Sequence, residues 1–374
     1  MRKKTIIFIQ ATATLLGTIM GAGILGIPYS IKDVGFGPGV CLMIGIAVIM
    51  TILELMYAEL ILRTRSDHEV PGYSGVYLGA PAKKIAVALG LMGGYGALLA
   101  YIIGEGEVFK AILGGSEVMW SVLFFMIAGS IIYSGLNMIK KIEVVFVGII
   151  FSVVILMAFV SLPYLHLEHL TSWSFDHFFQ PYGVLLFALT GVIAIPQVHK
   201  EIIGMENDFP KIIIAANTFA VIIYILFSFV VLGVSGSFVT PVATVGLGQF
   251  VGPGGSLLGN VIAAFAMSTS FLTIGFAIRR MFETDYHFKK LHALIATITI
   301  PFTLFIVGAR NFIGVLYIVG GVILGLQNVI IIFSFWKARI NGSRRPEFSI
   351  GVLGLIGGAL MLIFILGAIY SIKF

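Results

Sequence analysis

The sequence predicts an all-α polytopic membrane protein: an inverted repeat of five plus five helices, broken in helices 1 and 6, with an eleventh helix appended. Three observations carry that expectation. The 374 residues are 59% hydrophobic and 11% charged, with a mean hydropathy of +1.08, far from the balance of a water-soluble domain. Apolar runs bounded by charge or by Gly/Pro clusters recur eleven times along the chain. A Gly-x4-Pro frame occurs once in the first run and once in the sixth.

Each membrane crossing needs roughly 20 apolar residues to cover about 30 Å of hydrocarbon, so a chain of this length is used up by its spans. One transmembrane domain, 1–374, is expected, with no soluble domain beside it. The lone cysteine, Cys41, excludes an intrachain disulfide and a thiolate metal centre. The start, Met1 to Lys4, is basic and then apolar to about Tyr29, longer than the core of a cleaved signal peptide, and reads as a retained first helix.

The runs lie near 6–30, 38–62, 85–113, 119–138, 143–163 and 181–203, followed by 210–233, 255–280, 291–308, 311–335 and 350–372. An odd number of crossings puts the termini on opposite sides. With the N-terminus cytoplasmic and the C-terminus outside, nineteen Lys and Arg fall inside, from Arg2, Lys3 and Lys4 through Lys140 and Lys141 to Arg344 and Arg345. Four fall outside: Lys32, Lys110, Arg310 and Lys373. That is the positive-inside pattern of a multi-pass protein of the inner (plasma) membrane. The net charge of +6 is therefore spent on orientation in a lipid bilayer, and no nucleic-acid partner is expected.

The first span reads Gly23-Ile-Leu-Gly-Ile-Pro28 and the sixth Gly191-Val-Ile-Ala-Ile-Pro196. Five crossings apart, the two copies run in opposite directions, as an inverted repeat requires; the repeats take 5–163 and 179–337, and 349–372 forms the extra helix. Glycine-rich backbone at mid-membrane frees N–H and C=O groups that lipid cannot satisfy, so it lines a cavity. Around Gly21, Ala22 and Gly23 the second half-helix offers amides and its positive dipole end to a carboxylate. Around Ile19, Met20, Ala188 and Leu189 the preceding half-helices offer carbonyls to an ammonium. Those two poles fit a zwitterionic amino acid. The competing reading is close helix packing, because Gly17-x-x-x-Gly21 is also a small-xxx-small motif. Gly21, Gly23 and Gly26 spell G-x-G-x-x-G too, but a membrane helix precedes them and no acid stands about 20 residues on, so the dinucleotide reading is dropped.

The stretch Gly17-Thr-Ile-Met-Gly-Ala-Gly-Ile-Leu-Gly-Ile-Pro28, followed by Val34-Gly-Phe-Gly37, resembles the first helix of the amino acid/auxin permease family and its bacterial aromatic and hydroxy amino acid permease relatives. These belong to the amino acid-polyamine-organocation superfamily. Ala100-Tyr-Ile-Ile-Gly-Glu-Gly-Glu107, Phe187-Ala-Leu-Thr-Gly191 and Ala277-Ile-Arg-Arg280 look like that family as well. The resemblance implies the leucine-transporter fold and alternating access, coupled to H+ or Na+ or working as an exchanger. Carried over by position, the substrate backbone meets Met20, Gly21, Ala22, Gly23 and Ile24 in the first span, with Phe187, Ala188, Leu189, Thr190 and Gly191 in the sixth. Tyr95 and Tyr101 are candidates for side-chain selectivity, against a plain packing or interfacial role.

For a coupling ion, Ser268, Thr269 and Ser270 in span eight offer hydroxyls that could join carbonyls near Gly17 and Met20 around Na+, against the alternative of interhelical glue. Some sodium-coupled family members carry Asn where Gly17 stands, and 144–162 lacks the Lys that some proton-coupled members of the superfamily use. Glu105 and Glu107 are the candidate proton carriers, because an ionisable group inside a membrane is a functional hypothesis by default, against a pairing of Glu107 with Lys110 at the interface. Glu59 is read as interfacial and Glu54 as structural. The loop with His166, Glu168, His169, Asp176 and His177 shows no metal-ligand spacing. No nucleophile elbow, metalloprotease helix or P-loop appears, so neither an enzyme nor a bound cofactor is expected. The expectation is a secondary transporter of neutral or aromatic amino acids. Its rival is a permease-like receptor of the germinant-receptor type, which binds an amino acid without concentrating it. Oligomeric state leaves no mark on the sequence.

Overall fold

A computed structural model describes residues 2–134 and 136–373. Its helices are α1 (Arg2–Ile19), α2 (Gly23–Ile31), α3 (Phe36–Leu62), α4 (Val70–Leu78), α5 (Ala80–Leu113), α6 (Glu117–Ser134) and α7 (Leu136–Ser161). Next come α8 (Tyr182–Ala188), α9 (Ile195–Glu201), α10 (Phe209–Ser235), α11 (Ala243–Asp285), α12 (Lys290–Val307), α13 (Phe312–Ile318), α14 (Gly325–Asn341) and α15 (Gly357–Ile372). Among the described residues eight helical segments are long and apolar enough to cross a bilayer; α1 with α2, bent by 52°, makes a ninth. Two shorter apolar helices, Gly148–Tyr164 and Gly357–Ile372, occupy the fifth and eleventh runs. All eleven predicted runs are thus helical, and the chain is an all-α polytopic membrane protein.

The ends follow local chemistry. Proline stands in the first turn of α4 (Pro71), α5 (Pro81), α9 (Pro196) and α10 (Pro210), where its missing N–H costs nothing. Gly114 (φ 73°) and Gly308 (φ 112°) stop α5 and α12 in conformations that suit only glycine. Three features lay outside the sequence reading: the short helix α4, the kink at Gly252 (φ 76°) that sets 243–251 apart from the rest of α11, and a π-helical stretch at Val319–Leu324 between α13 and α14. The fourth and fifth runs, expected to part between 138 and 143, part instead between α6 and α7, so Lys140 and Lys141 fall inside the α7 range; their side chains lie outside the described residues.

α5 runs through the middle, packed on α11, α6, α12, α13 and the π-helical stretch, while α10 packs on α1, α3 and α2. Large apolar residues such as Phe159, Met126, Ile222 and Leu366 cover the periphery. Hydrocarbon is as apolar as they are, so burying apolar area does little to choose one arrangement of helices; close packing and internal hydrogen bonds decide. Glu59, read as interfacial, is such a device: it is fully buried at the end of α3, paired with Arg63 at 2.7 Å, and it accepts from Ser349 Oγ (3.1 Å) and the Ile350 amide (2.8 Å). The approach to α15 is tied there.

A candidate binding site at two helix breaks

α1 stops at Ile19, Met20 and Gly21 make a bend, and α2 restarts at Gly23 with Ala22 as an N-cap that makes no side-chain bond. The Gly21 amide turns back to the Ile19 carbonyl (2.8 Å), so the i→i−4 ladder lapses. Among the described residues no acceptor meets the amide of Ala22, and no donor meets the carbonyls of Gly17 and Met20. These are the unsatisfied groups that every helix end leaves. Here they are buried together at mid-span. A Cβ on Gly23 would overlap the backbone of Ala188, so glycine is what lets the first break touch the sixth span.

In the sixth span, α8 ends at Ala188 and helix resumes with a 3-10 turn, Val192–Ala194, leading into α9. Thr190 is partly exposed, whereas Phe187, Ala188, Leu189 and Gly191 are buried. Two groups hold this break. Glu54 of α3, fully buried, accepts from the Gly191 amide at 2.7 Å and from Asn217 Nδ2 of α10 at 2.6 Å. Tyr224 of α10 places its hydroxyl 2.7 Å from the Ile19 carbonyl and 2.9 Å from the Ala188 carbonyl, so one phenol joins the C-terminal ends of α1 and α8. The break therefore carries carbonyl ends and an amide end side by side, the polarity that would hold an ammonium and a carboxylate on one small molecule.

The remaining candidate residues divide between this place and others. Tyr101 and Ser270 reach the break: a Cβ on Gly21 would stand 2.7 Å from Ser270 Oγ and 2.9 Å from the Tyr101 oxygen. Tyr95 does not; its hydroxyl donates to the Ala296 carbonyl on α12 at 2.8 Å. Thr269 spends its hydroxyl on its own helix, at the Phe265 and Ala266 carbonyls. Ser268 donates to Glu105 Oε1 at 2.7 Å, one turn along α5 from Tyr101. Glu107 lies nearer the end of α5, beside Glu117 and Lys110. Gly17, Ile19 and Ile24 are buried at the first break, and Phe187, Ala188 and Leu189 at the other. Asn217 and Tyr224 were not anticipated. An Asn inside an apolar span is a detectable signal, whereas a Tyr in such a span is indistinguishable from packing.

Known proteins agree with this architecture. The model of the tryptophan/tyrosine permease family matches residues 4–373. Tyrosine-specific transport system 1 of Haemophilus influenzae is 26% identical over 58% of this chain, and the aligned part spans 56% of that relative. Tyrosine-specific transport system 2 of the same organism is 24% identical over 93% of this chain and 94% of its own length. Glutamine transporter 2 of Aliivibrio fischeri is 22% identical over 85% of this chain and 84% of its own. A crystal structure of MhsT in complex with L-phenylalanine superimposes with a TM-score of 0.76 at 16% identity, covering 96% of this chain and 98% of the other, a likeness of fold.

Proposed function

The chain belongs to the tryptophan/tyrosine permease family, and from that premise we propose that it is a secondary active transporter of neutral or aromatic amino acids, tyrosine first among them, working by alternating access. The observation that carries the reading is the meeting of the two breaks at Gly23 and Ala188, with the unpartnered amide of Ala22 beside the carbonyl ends of α1 and α8. That amide takes the substrate carboxylate; the carbonyls at Met20 and Leu189 take its ammonium. Tyr101, Ser270 and Thr190 stand around that position and act on the rest of the molecule. Selectivity for an aromatic side chain fits the two tyrosine-specific relatives. Tyr95, bonded to α12, shapes the wall behind it. Residues 5–163 and 179–337 are the two repeats that move against each other, 349–372 lies outside them, and the N-terminus is cytoplasmic, with the C-terminus outside.

Counterflow in proteoliposomes preloaded with tyrosine, followed with labelled tyrosine, tryptophan, phenylalanine and glutamine, tests this. Saturable counterflow of the aromatic amino acids is expected. Saturable binding with no flux of any of them would make the protein a receptor, and neither binding nor flux would end the amino-acid reading altogether.

A further inference from the structure

Glu105 is fully buried on α5, within the membrane, and its one hydrogen-bond partner is a neutral hydroxyl. Ser268 Oγ donates to Oε1 at 2.7 Å, and Oε2 has no partner. Among the described residues the elements around it place no charged partner on it. Met267 of α11 and Phe312 of α13 close on the neighbouring Gly104, and Ser121 of α6 turns its hydroxyl to the Ile102 carbonyl. The titratable residues of the packed elements are Glu117 and Tyr133 on α6, Arg279, Arg280 and Glu283 on α11, Lys290 and His292 on α12, Tyr317 on α13, Lys337 and Arg339 on α14, and Tyr73 and Tyr77 on α4. Among the described residues none of them, nor Glu107 and Lys110 on α5 itself, makes an ion pair or hydrogen bond with Glu105. Burying a carboxylate anion against one neutral donor is far costlier than burying the neutral acid, which leaves one weak unmet group in place of a charge.

We propose that Glu105 and Ser268 form a proton-binding site that couples transport to the pH gradient, a step that rests on the transport reading above. A proton delivered by water adds to Oε2 and leaves by the same bond when water reaches the site from the other side; Ser268 keeps its bond to Oε1 in both states. No other bond is made or broken. The site is linked to the breaks through the same two helices. Tyr101 lies four residues before Glu105 on one face of α5, and Ser270 lies two residues after Ser268 on α11; their side chains meet at Gly21. A seam between α5 and α11 that stays dry holds the proton, and one that admits water releases it. Proton occupancy and the arrangement at Gly21 therefore bias the same pair of helices, which is what coupling between two ligands requires.

The experiment uses the full chain in proteoliposomes with labelled tyrosine, with a pH gradient and a sodium gradient imposed separately. The wild type is expected to accumulate tyrosine when the lumen is alkaline and to carry protons with it, read by a pH dye in the lumen. Glu105→Gln should lower gradient-driven accumulation about ten-fold more than it lowers counterflow, and should abolish the proton signal. Glu105→Asp should keep the gradient dependence, and Ser268→Ala should move the pH midpoint of uptake. The proposal is overturned if Glu105→Gln accumulates tyrosine with the gradient as the wild type does, or if the wild type responds to sodium and not to pH. Should the wild type show no counterflow at all, the transport reading falls and this one with it. Should Glu105→Gln fail to insert, the luminal proton signal of the wild type and the Ser268→Ala profile decide.

Discussion

Gly23 carries the closest approach in the molecule's candidate site, and its replacement by alanine would drive a methyl group into the Ala188 backbone. Overpacking of that kind costs about 1–3 kcal/mol, and here the cheapest relief is to part the two breaks. Gly23→Ala is therefore expected to insert and run as a monodisperse species while its KM for tyrosine counterflow rises about ten-fold or more. A KM equal to the wild type's would show that the approach of α2 to Ala188 does not shape the site. Tyr224→Phe removes the one hydroxyl serving the Ile19 and Ala188 carbonyls. Losing a donor to buried acceptors costs about 1–3 kcal/mol, so both Tm and tyrosine affinity should fall; a change in neither would mean that other donors already serve those carbonyls. The glycines were legible because glycine at mid-membrane is conspicuous without any neighbour being known. Tyr224 was not, because a phenol's value depends on what stands 36 and 205 residues away, at Ala188 and Ile19. Glu54 lies between these cases: its burial in a span announced a role, but its partners Gly191 and Asn217 belong to other helices.

Among the helices, the long apolar runs were recoverable because lipid imposes both their length and their composition. Pieces that lipid does not dictate were missed. α4 is short, with Pro71 in its first turn and Pro81 just beyond its end, and the π-helical stretch at 319–324 packs against α8, which no run of apolar letters encodes. The half-helices also carry a tie of their own: Thr14 on α1 donates to Glu201 Oε2 at the end of α9 (3.2 Å), and Gln197 reaches Oε1 (3.2 Å). This joins the first and sixth spans on the side of the chain's start, away from the breaks. Glu201→Ala should loosen that side alone. In hydrogen exchange, amides of residues 4–19 should lose protection by about ten-fold or more while those of α5 keep theirs. Equal loss in both would mean general destabilisation, and no loss would remove the tie as a restraint on opening.

For the whole molecule, orientation is the property that charge dictates and helix packing alone does not. In the proposed orientation the basic residues divide nineteen to four between the two sides, and each of the eleven apolar runs is helical among the described residues. A single span added or lost would exchange the sides of everything after it and erase the asymmetry, so the bias and the helix count support each other. The sheltered tie at Glu59, Arg63, Ser343 and Ile350 then falls in the cytoplasm, and the loop containing His166 and His177 outside. Cys41, the one cysteine, is exposed and must first be changed to serine. In that background, His177→Cys and Arg345→Cys introduce thiols at exposed positions that the proposed topology puts on opposite faces. In intact cells a membrane-impermeant maleimide should label His177→Cys and spare Arg345→Cys until the membrane is permeabilised. The reverse pattern would invert the topology and with it the side from which each break is loaded, while leaving the geometry at Gly23 and Ala188 untouched.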